Sequence, residues 1–425
     1  MSEGRTGGAA IGSDVPQADA GRIAADIDAL RELTLPDRPY TRRAFTPIYG
    51  RGRQWLSAAM ADAGLHPETD AGGNLAGRSR ETDGSSVAIG SHIDTVPDGG
   101  AYDGVAGVVA ALEVARVIKQ RSIDLPFAFE VIDFLSEEPS DFGVSCIGSR
   151  AMAGTLSETD LARTDGAGTS LRDALRAVGG RPEALGAPLR ERGSLRAYLE
   201  LHIEQGPVLE RVGAPVAIVT GIVGIRRYEV RLAGDPSHAG TTPMDTRHDA
   251  LTGAAKLVLA VERLARDRAG EDGFVGTVGQ LAVTPNAANV VPGEVTATVE
   301  LRAPSDESLD GVQRELEARI GEVTAERGLA LTFAEVSRTP PVELDHDLRT
   351  MLAQAADAAG VQALQMVSGG GHDAGHVAAL APSAMLFVPC REGLSHAPGE
   401  SADPDDIAAG ADLMLHVVLE LAARR

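Results

Sequence analysis

Cysteine is nearly absent from this chain of 425 residues: there are two, Cys146 and Cys390. Two thiols make no disulfide framework, so the expected setting is the reducing cytoplasm, with both cysteines packed as small apolar residues. Aromatic side chains are scarce, at 3%. Positive charge is outnumbered, with 39 Lys and Arg against 61 Asp and Glu and a formal net charge of −22. That balance argues against nucleic acid and anionic membranes as partners and leaves room for bound cations. No apolar run approaches the ~20 residues of a membrane span. The start, MSEGRTGGAAIGSDVPQAD, lacks the basic head and apolar stretch of a secretory signal, and residues 1–22 are expected to be a flexible tail. Also missing is the G-x-S-x-G elbow around Ser145, which disfavours a serine hydrolase. The glycine runs fit neither the phosphate-loop nor the dinucleotide pattern.

What remains is globular: 43% hydrophobic and 24% charged, with 49 glycines. The length suggests two domains. Buried-strand and helix patterns alternate from about Ala24: VAIGSH (87–92), the helix-like DGVAGVVAALEVARVIKQ (103–120), PFAFEVIDFLSEE (126–138) and RAYLELHIEQGP (196–207). Such alternation predicts an α/β fold with a parallel or mixed sheet and a site at the carboxyl ends of its strands. The texture then changes. RRYEVRLAG (226–234) alternates with period two, a helix is expected from about Thr246 to Arg268, and two further strands precede a helix capped by Ser305 or Asp306. This reads as an α+β domain at 218–332 inserted into a larger one at 23–217 and 333–425. A helix near 346–359, the strand PSAMLFVPC and a last helix from about Asp405 complete the larger domain.

The chemistry-bearing residues fall at predicted strand ends. In GSHIDTVPDGGAYDGVAG, His92 and Asp94 would face the same way, so that Asp94 could take a proton from one ring nitrogen and leave the other for a metal. Asp103 is either a helix cap or a ligand able to bridge two ions. Glu137 and Glu138 are adjacent carboxylates at a buried strand mouth, where cations or a raised pKa must offset their repulsion. LHIEQGP adds His202, Glu204 and Gln205; SHAGTTPMDTRHDA adds His238 and Arg247; GLSHAPGE adds His396 and Glu400. A single histidine of this kind is more often structural. As a set, three histidines and two or three acids without thiolate suit zinc, manganese or cobalt.

The ordered motifs HIDTVPDGGAYDG, SEEPSDFGVSCIGSRAMAG, LHIEQGPVLE, SHAGTTPMDTRHDA, PNAANVVPGEV, SGGGHDAGH and FVPCREGLSHAPGE resemble the N-carbamoyl-L-amino-acid hydrolase and allantoate amidohydrolase family, a branch of the dinuclear-metal aminoacylase and carboxypeptidase superfamily. The resemblance implies a phosphorylase/hydrolase-like mixed-sheet catalytic domain with two divalent metal ions and an inserted α+β lid that also forms a homodimer. It implies that one ion takes His92, Asp103 and His202, and the other Asp103, Glu138 and His396, with Asp94 orienting His92 and Glu137 as general base. It implies further that His238 stabilises the oxyanion, that Arg302 and Asn289 hold the substrate carboxylate, and that Gln205 donates to a ureido group. The implied substrates are small ureido acids; the alternative is an N-acyl-amino-acid deacylase or dipeptidase. Pro139, Asp141 and Glu300 depart from the family pattern. The EEP form and FVPCREG look more like the ureidoglycolate side of the family, whereas SHAGTTPM looks like the carbamoylase and allantoate side. His372 and Asp373 resemble a family motif without an assigned role.

Overall fold

The computed structural model describes residues 17–80, 84–268 and 273–424. They form two compact units. The first takes the chain up to Thr220, then Leu344–Met366 and the residues from His372 onward; the second takes Gly221–Glu343 with Val367–Gly371.

The first unit is built on a mixed sheet. Strands Ser86–Ser91, Ala128–Asp133, Leu195–Ile203 and Ser383–Val388 run parallel to one another. Antiparallel partners flank them: Leu75–Arg78 beside Ala128–Asp133, and Val216–Ile222 beside Ser383–Val388. Every residue of Ser86–Ser91 and of Ala128–Asp133 is buried, as in strands covered on both faces. Along Leu195–Ile203 the alternation assigns the two faces. Leu199 and Leu201 join the aliphatic core with helices Val105–Gln120 and Pro404–Ala423. Glu200, between them, turns the other way and accepts the backbone N–H of Ala374 in helix Asp373–Val377. His202 shares the parity of Glu200, so this strand delivers an imidazole at its carboxyl end.

Two boundaries differ from expectation. Helix Ala20–Arg31 begins inside the segment read as a tail. Asp19 caps it at Arg22 N, and the buried Glu113 of helix Val105–Gln120 accepts from Asp19 N at 2.9 Å and from Arg22 Nε at 3.0 Å. A partner 91 residues away in the chain leaves no local signature. Residues 1–16 of the expected tail lie outside the described residues. The expected boundary at 332 falls inside strand Ala330–Thr339.

The second unit is a four-stranded antiparallel sheet in the order Ala330–Thr339, Gly224–Ala233, Glu294–Ala303, Val275–Thr284. Helices Ala250–Arg268 and Asp306–Arg327 cover one face, where Tyr228, Val230, Leu232, Val295, Val299 and Leu301 meet Leu257, Val261, Leu316 and Ile320. Ser305 is the cap of the second helix, accepting from Ser308 N at 3.1 Å. The first starts later than Thr246 because Met244–Thr246 forms a separate 3₁₀ turn and Asp249 accepts Leu251 N and Thr252 N, as a cap does. Arg226, fully buried, reaches Asp306 at 2.7 Å and also pairs with Asp310, tying that helix to the sheet. Residues 367–371, assigned by sequence to the larger domain, belong here: Ser368 O accepts Val223 N at 3.0 Å and Gly369 O accepts Arg302 Nη1 at 2.5 Å.

Candidate metal centre

The ends of the parallel strands carry the site. His92 follows Ser86–Ser91, Glu137 and Glu138 follow Ala128–Asp133, and His202 is the penultimate residue of Leu195–Ile203. Asp103 stands before helix Val105–Gln120 and does not cap it. The cap position is Gly104, at φ 67°, without a side-chain bond. A Cβ at Gly104 would fall 2.4 Å from His92 Cε1 and Nε2, so only glycine lets the aspartate turn lie against the imidazole.

Two ligand groups share Asp103. His92, Asp103 and His202 offer atoms within 4.8 Å of one another, and so do Asp103, Glu138 and His396. His202 Nε2 lies 3.2 Å and His92 Nε2 3.6 Å from Asp103 Oδ1. His396 Nε2 lies 3.1 Å from Asp103 Oδ2 and 3.2 Å from Glu138 Oε1. The two oxygens of Asp103 thus face different histidines. The Nδ1 atoms of His92 and His202 face the carbonyls of Asp94 and Ile203 at 3.0 and 2.9 Å, which selects the tautomer that frees Nε2. His92 Nε2 is buried and has no hydrogen-bond partner. An orphaned imidazole nitrogen aimed at carboxylate oxygens fits a cation among them.

The charges agree with this. Burial raises the Asp103 carboxyl, but His202, His396 and His92 outweigh it and hold it well below the usual carboxylate range. Burial lowers His92, yet Glu137, Asp94 and Asp103 push it well above an ordinary histidine. Hydrogen bonds to Asp103 and Glu138 raise His396 to about 10. Burial, then Glu138, Asp373 and Asp103, lift Glu137 well above the usual range against the opposite pull of His92.

The expected pairing of Asp94 needs correction. Its backbone carbonyl, not its carboxylate, takes the His92 Nδ1 bond; the nearest carboxylate oxygen is 3.6 Å away. The carboxylate instead accepts Glu137 N and Glu138 N, each at 3.2 Å, and so sets the turn that carries both glutamates. Glu137 Oε2 lies 3.6 Å from His92 Nε2, and Cys146 Sγ lies 3.6 Å from Glu137 Oε1. Asp141 and Pro139 form one device: Arg43 binds the Asp141 carboxylate at 2.8 Å and the Pro139 carbonyl at 3.2 Å.

Other flagged residues have structural partners. Glu204 accepts Val208 N and Leu209 N and caps the helix Val208–Val212. Gln205, at φ 57°, donates from Nε2 to Asp103 Oδ2 at 2.8 Å. Ser395 Oγ, unflagged by sequence, lies 2.9 Å from the same oxygen; its one signal was its place beside His396. The His372 ring packs edge-on against His202 at 4.5 Å, and Asp373 accepts Ser149 Oγ at 2.5 Å.

The second unit carries the other four. His238 is exposed and its Nδ1 accepts Gly240 N at 3.1 Å, which leaves the proton of a neutral ring on Nε2. Arg247 donates to Ala239 O and Thr242 O and so braces the loop after His238. Asn289 is exposed and its carbonyl accepts Ala239 N at 3.0 Å. Arg302 binds Glu300 through Nε at 2.8 Å and Nη2 at 2.7 Å.

Peptidase family M20/M25/M40 matches residues 88–420 of the chain. An N-carbamoyl-L-amino-acid amidohydrolase of Paenarthrobacter aurescens is 40% identical over 408 residues, covering 95% of this chain and 98% of that protein. A ureidoglycolate hydrolase of Oryza sativa subsp. japonica is 34% identical over 422 residues, 97% of this chain and 86% of the relative. An allantoate deiminase of Arabidopsis thaliana is 37% identical over 398 residues, 87% and 76% of the two. Among solved structures, an amidase of the hydantoinase/carbamoylase family from Burkholderia multivorans matches with a TM-score of 0.88 at 34% identity, covering 96% of this chain and 99% of that one.

Proposed function

Because the chain belongs to peptidase family M20/M25/M40 and is a hydrolase of carbon–nitrogen bonds, we propose that it cleaves the carbamoyl C–N bond of an N-carbamoyl-L-amino acid or a related ureido acid. One observation carries the mechanism: Asp103 is common to both ligand groups, with Glu137 beside them. Two divalent cations, from zinc, manganese or cobalt, would supply Lewis acidity there, polarising the scissile carbonyl and bringing a water toward ionisation near neutral pH.

The chain's own residues do the rest. Glu137 takes a proton from the attacking water at a carboxylate oxygen and delivers it to the leaving nitrogen. Asp94 holds the Glu137 and Glu138 peptide groups in place. His238 offers Nε2–H to the developing oxyanion. Gln205 keeps one N–H on Asp103 and presents the other to the ureido oxygen. Arg302 uses Nε, Nη1 and Nη2 on Glu300 and Gly369 O; its remaining N–H groups and the Asn289 amide are assigned to the substrate carboxylate. Homodimerisation through the second unit is part of this reading. It is supported by the edge strand Val275–Thr284, with Leu281 exposed, and by exposed Val258 and Leu259 on helix Ala250–Arg268. Free, buried Cys146 and Cys390 accord with a cytoplasmic setting. Among the described residues, no helix is long and apolar enough to cross a membrane.

Metal-stripped protein should release ammonia from one member of a ureido panel only after manganese, cobalt or zinc is added. The panel is N-carbamoyl-L-amino acids, N-carbamoyl-β-alanine, ureidoglycolate and allantoate. Free amine from N-acetyl amino acids or dipeptides, with no ammonia from any ureido acid, would overturn the reading in favour of acyl or peptide cleavage. On the preferred substrate, Arg302→Ala should raise KM by about ten- to a hundredfold, the loss of a charged hydrogen bond worth about 1.5–3 kcal/mol, with a smaller change in kcat. Steady-state kinetics check this, and unchanged KM removes Arg302 from the site.

A further inference from the structure

Glu400 lies where the Asp103 loop meets the His396 loop. It is 5% exposed. Its Oε1 accepts Tyr102 N at 2.8 Å and Asp103 N at 2.9 Å. Its Oε2 accepts His396 N at 3.3 Å and lies 3.0 Å from Ser395 Oγ, the hydroxyl that also lies 2.9 Å from Asp103 Oδ2. The seat is close-fitting, since a Cβ on Gly100 would fall 1.9 Å from Glu400 Cδ and Oε1.

On the two-ion reading above, we propose that Glu400 is the positioning residue that sets the spacing of the two ion sites. One oxygen holds the backbone of Asp103, the ligand both groups share. The other holds the backbone of His396, a ligand of the second group alone. His396 is left-handed, at φ 55°, and that conformation is unfavourable for a residue with a Cβ and has to be held by its surroundings. His396 is also 48% exposed at its side chain, so packing does little to fix it. A carboxylate bonded to its N–H supplies the restraint.

The two arms can be separated chemically. In Glu400→Gln the amide oxygen can keep the N–H groups of Tyr102 and Asp103. The amide NH₂ then faces the His396 N–H, and two donors cannot bond. The reverse orientation would oppose two N–H groups in place of one. The variant should therefore release the His396 arm and spare the first ligand group.

Metal stoichiometry by inductively coupled plasma mass spectrometry, with a chelator-competition titration of manganese or zinc, reads this directly. Wild type should hold two ions. Glu400→Gln should hold one at wild-type affinity and bind the second about ten- to a hundredfold more weakly, the usual cost of losing a partner that orients a ligand. His396→Ala, which removes the ligand itself, is the reference for a vacant second site. Should Glu400→Gln not fold, Gly100→Ala, whose methyl displaces the carboxyl that holds Asp103 N as well as His396 N, is expected to weaken both ions, and two ions held at wild-type affinity in that variant would overturn the proposal. Two ions held at wild-type affinity, even with a lower melting temperature, overturns the proposal, because a merely structural role lowers stability without choosing between sites. Loss of both ions together in Glu400→Gln overturns it as well. Wild type that binds fewer than two ions overturns the two-ion reading and this assignment with it.

Discussion

Glu137→Gln is expected to lower kcat by about a hundred- to ten-thousandfold, the range of a positioned general base, while the metal content stays unchanged. The expectation rests on how the residue is held. Its peptide N–H is fixed by Asp94 Oδ1 at 3.2 Å and its carbonyl accepts Cys146 N at 2.9 Å. Neither bond involves the side chain, so an amide of the same size leaves the turn intact. Glu137 stands outside both groups whose atoms could share an ion. Its carboxyl is 11% exposed, enough for a water to reach it. Burial and the neighbouring carboxylates raise it above the usual carboxylate range. An amide keeps the shape and cannot take up a proton. Turnover is read on the ureido substrate and metal by mass spectrometry. Near-normal turnover would remove Glu137 as the base; a loss of bound metal would make it a ligand.

Much of the architecture was legible because the signals are local. Runs such as VAIGSH and PFAFEVID are apolar for the length of one strand and end in polar residues, and the α/β alternation follows from their spacing with helices. The period-two pattern of RRYEVRLAG marks a half-covered antiparallel strand, and Gly224–Ala233 has that burial alternation. Long-range partnerships were not legible. Asp94 and the peptide groups it binds are more than 40 residues apart, so the i, i+2 spacing to His92 suggested a side-chain bond that the backbone carbonyl makes instead. Glu204 stands beside His202 among the residues singled out in LHIEQGP, and Val208 N and Leu209 N are the donors its carboxylate meets. Glu400 bonds to residues almost 300 positions earlier, and no pattern within a window of sequence encodes that. Residue type and strand-end position can be read locally. Which oxygen meets which donor depends on loops closing across the sheet.

Asp103→Asn should have the largest effect on the metal centre, with both ions lost and kcat/KM lowered by at least about a thousandfold, the scale of several kcal/mol of Lewis-acid stabilisation. The argument is one of acceptors. Asp103 Oδ1 faces the Nε2 atoms of His202 and His92, and Oδ2 faces His396 Nε2 at 3.1 Å, Gln205 Nε2 at 2.8 Å and Ser395 Oγ at 2.9 Å. An asparagine offers one acceptor oxygen and an NH₂. Placed with its oxygen toward His202, it turns donors on Gln205; placed the other way, it turns them on the histidines that should bind the first ion. Either orientation also removes the negative charge that the first and second ion groups have in common. Substitution at an unshared ligand behaves differently: His202→Ala should empty one site and His396→Ala the other, each leaving an ion behind. The three variants together form the test, with metal content measured at one free-metal concentration. If Asp103→Asn retained two ions, or lost just one as the histidine variants should, the carboxylate would not be the bridge between them, and the two groups would have to be treated as independent sites.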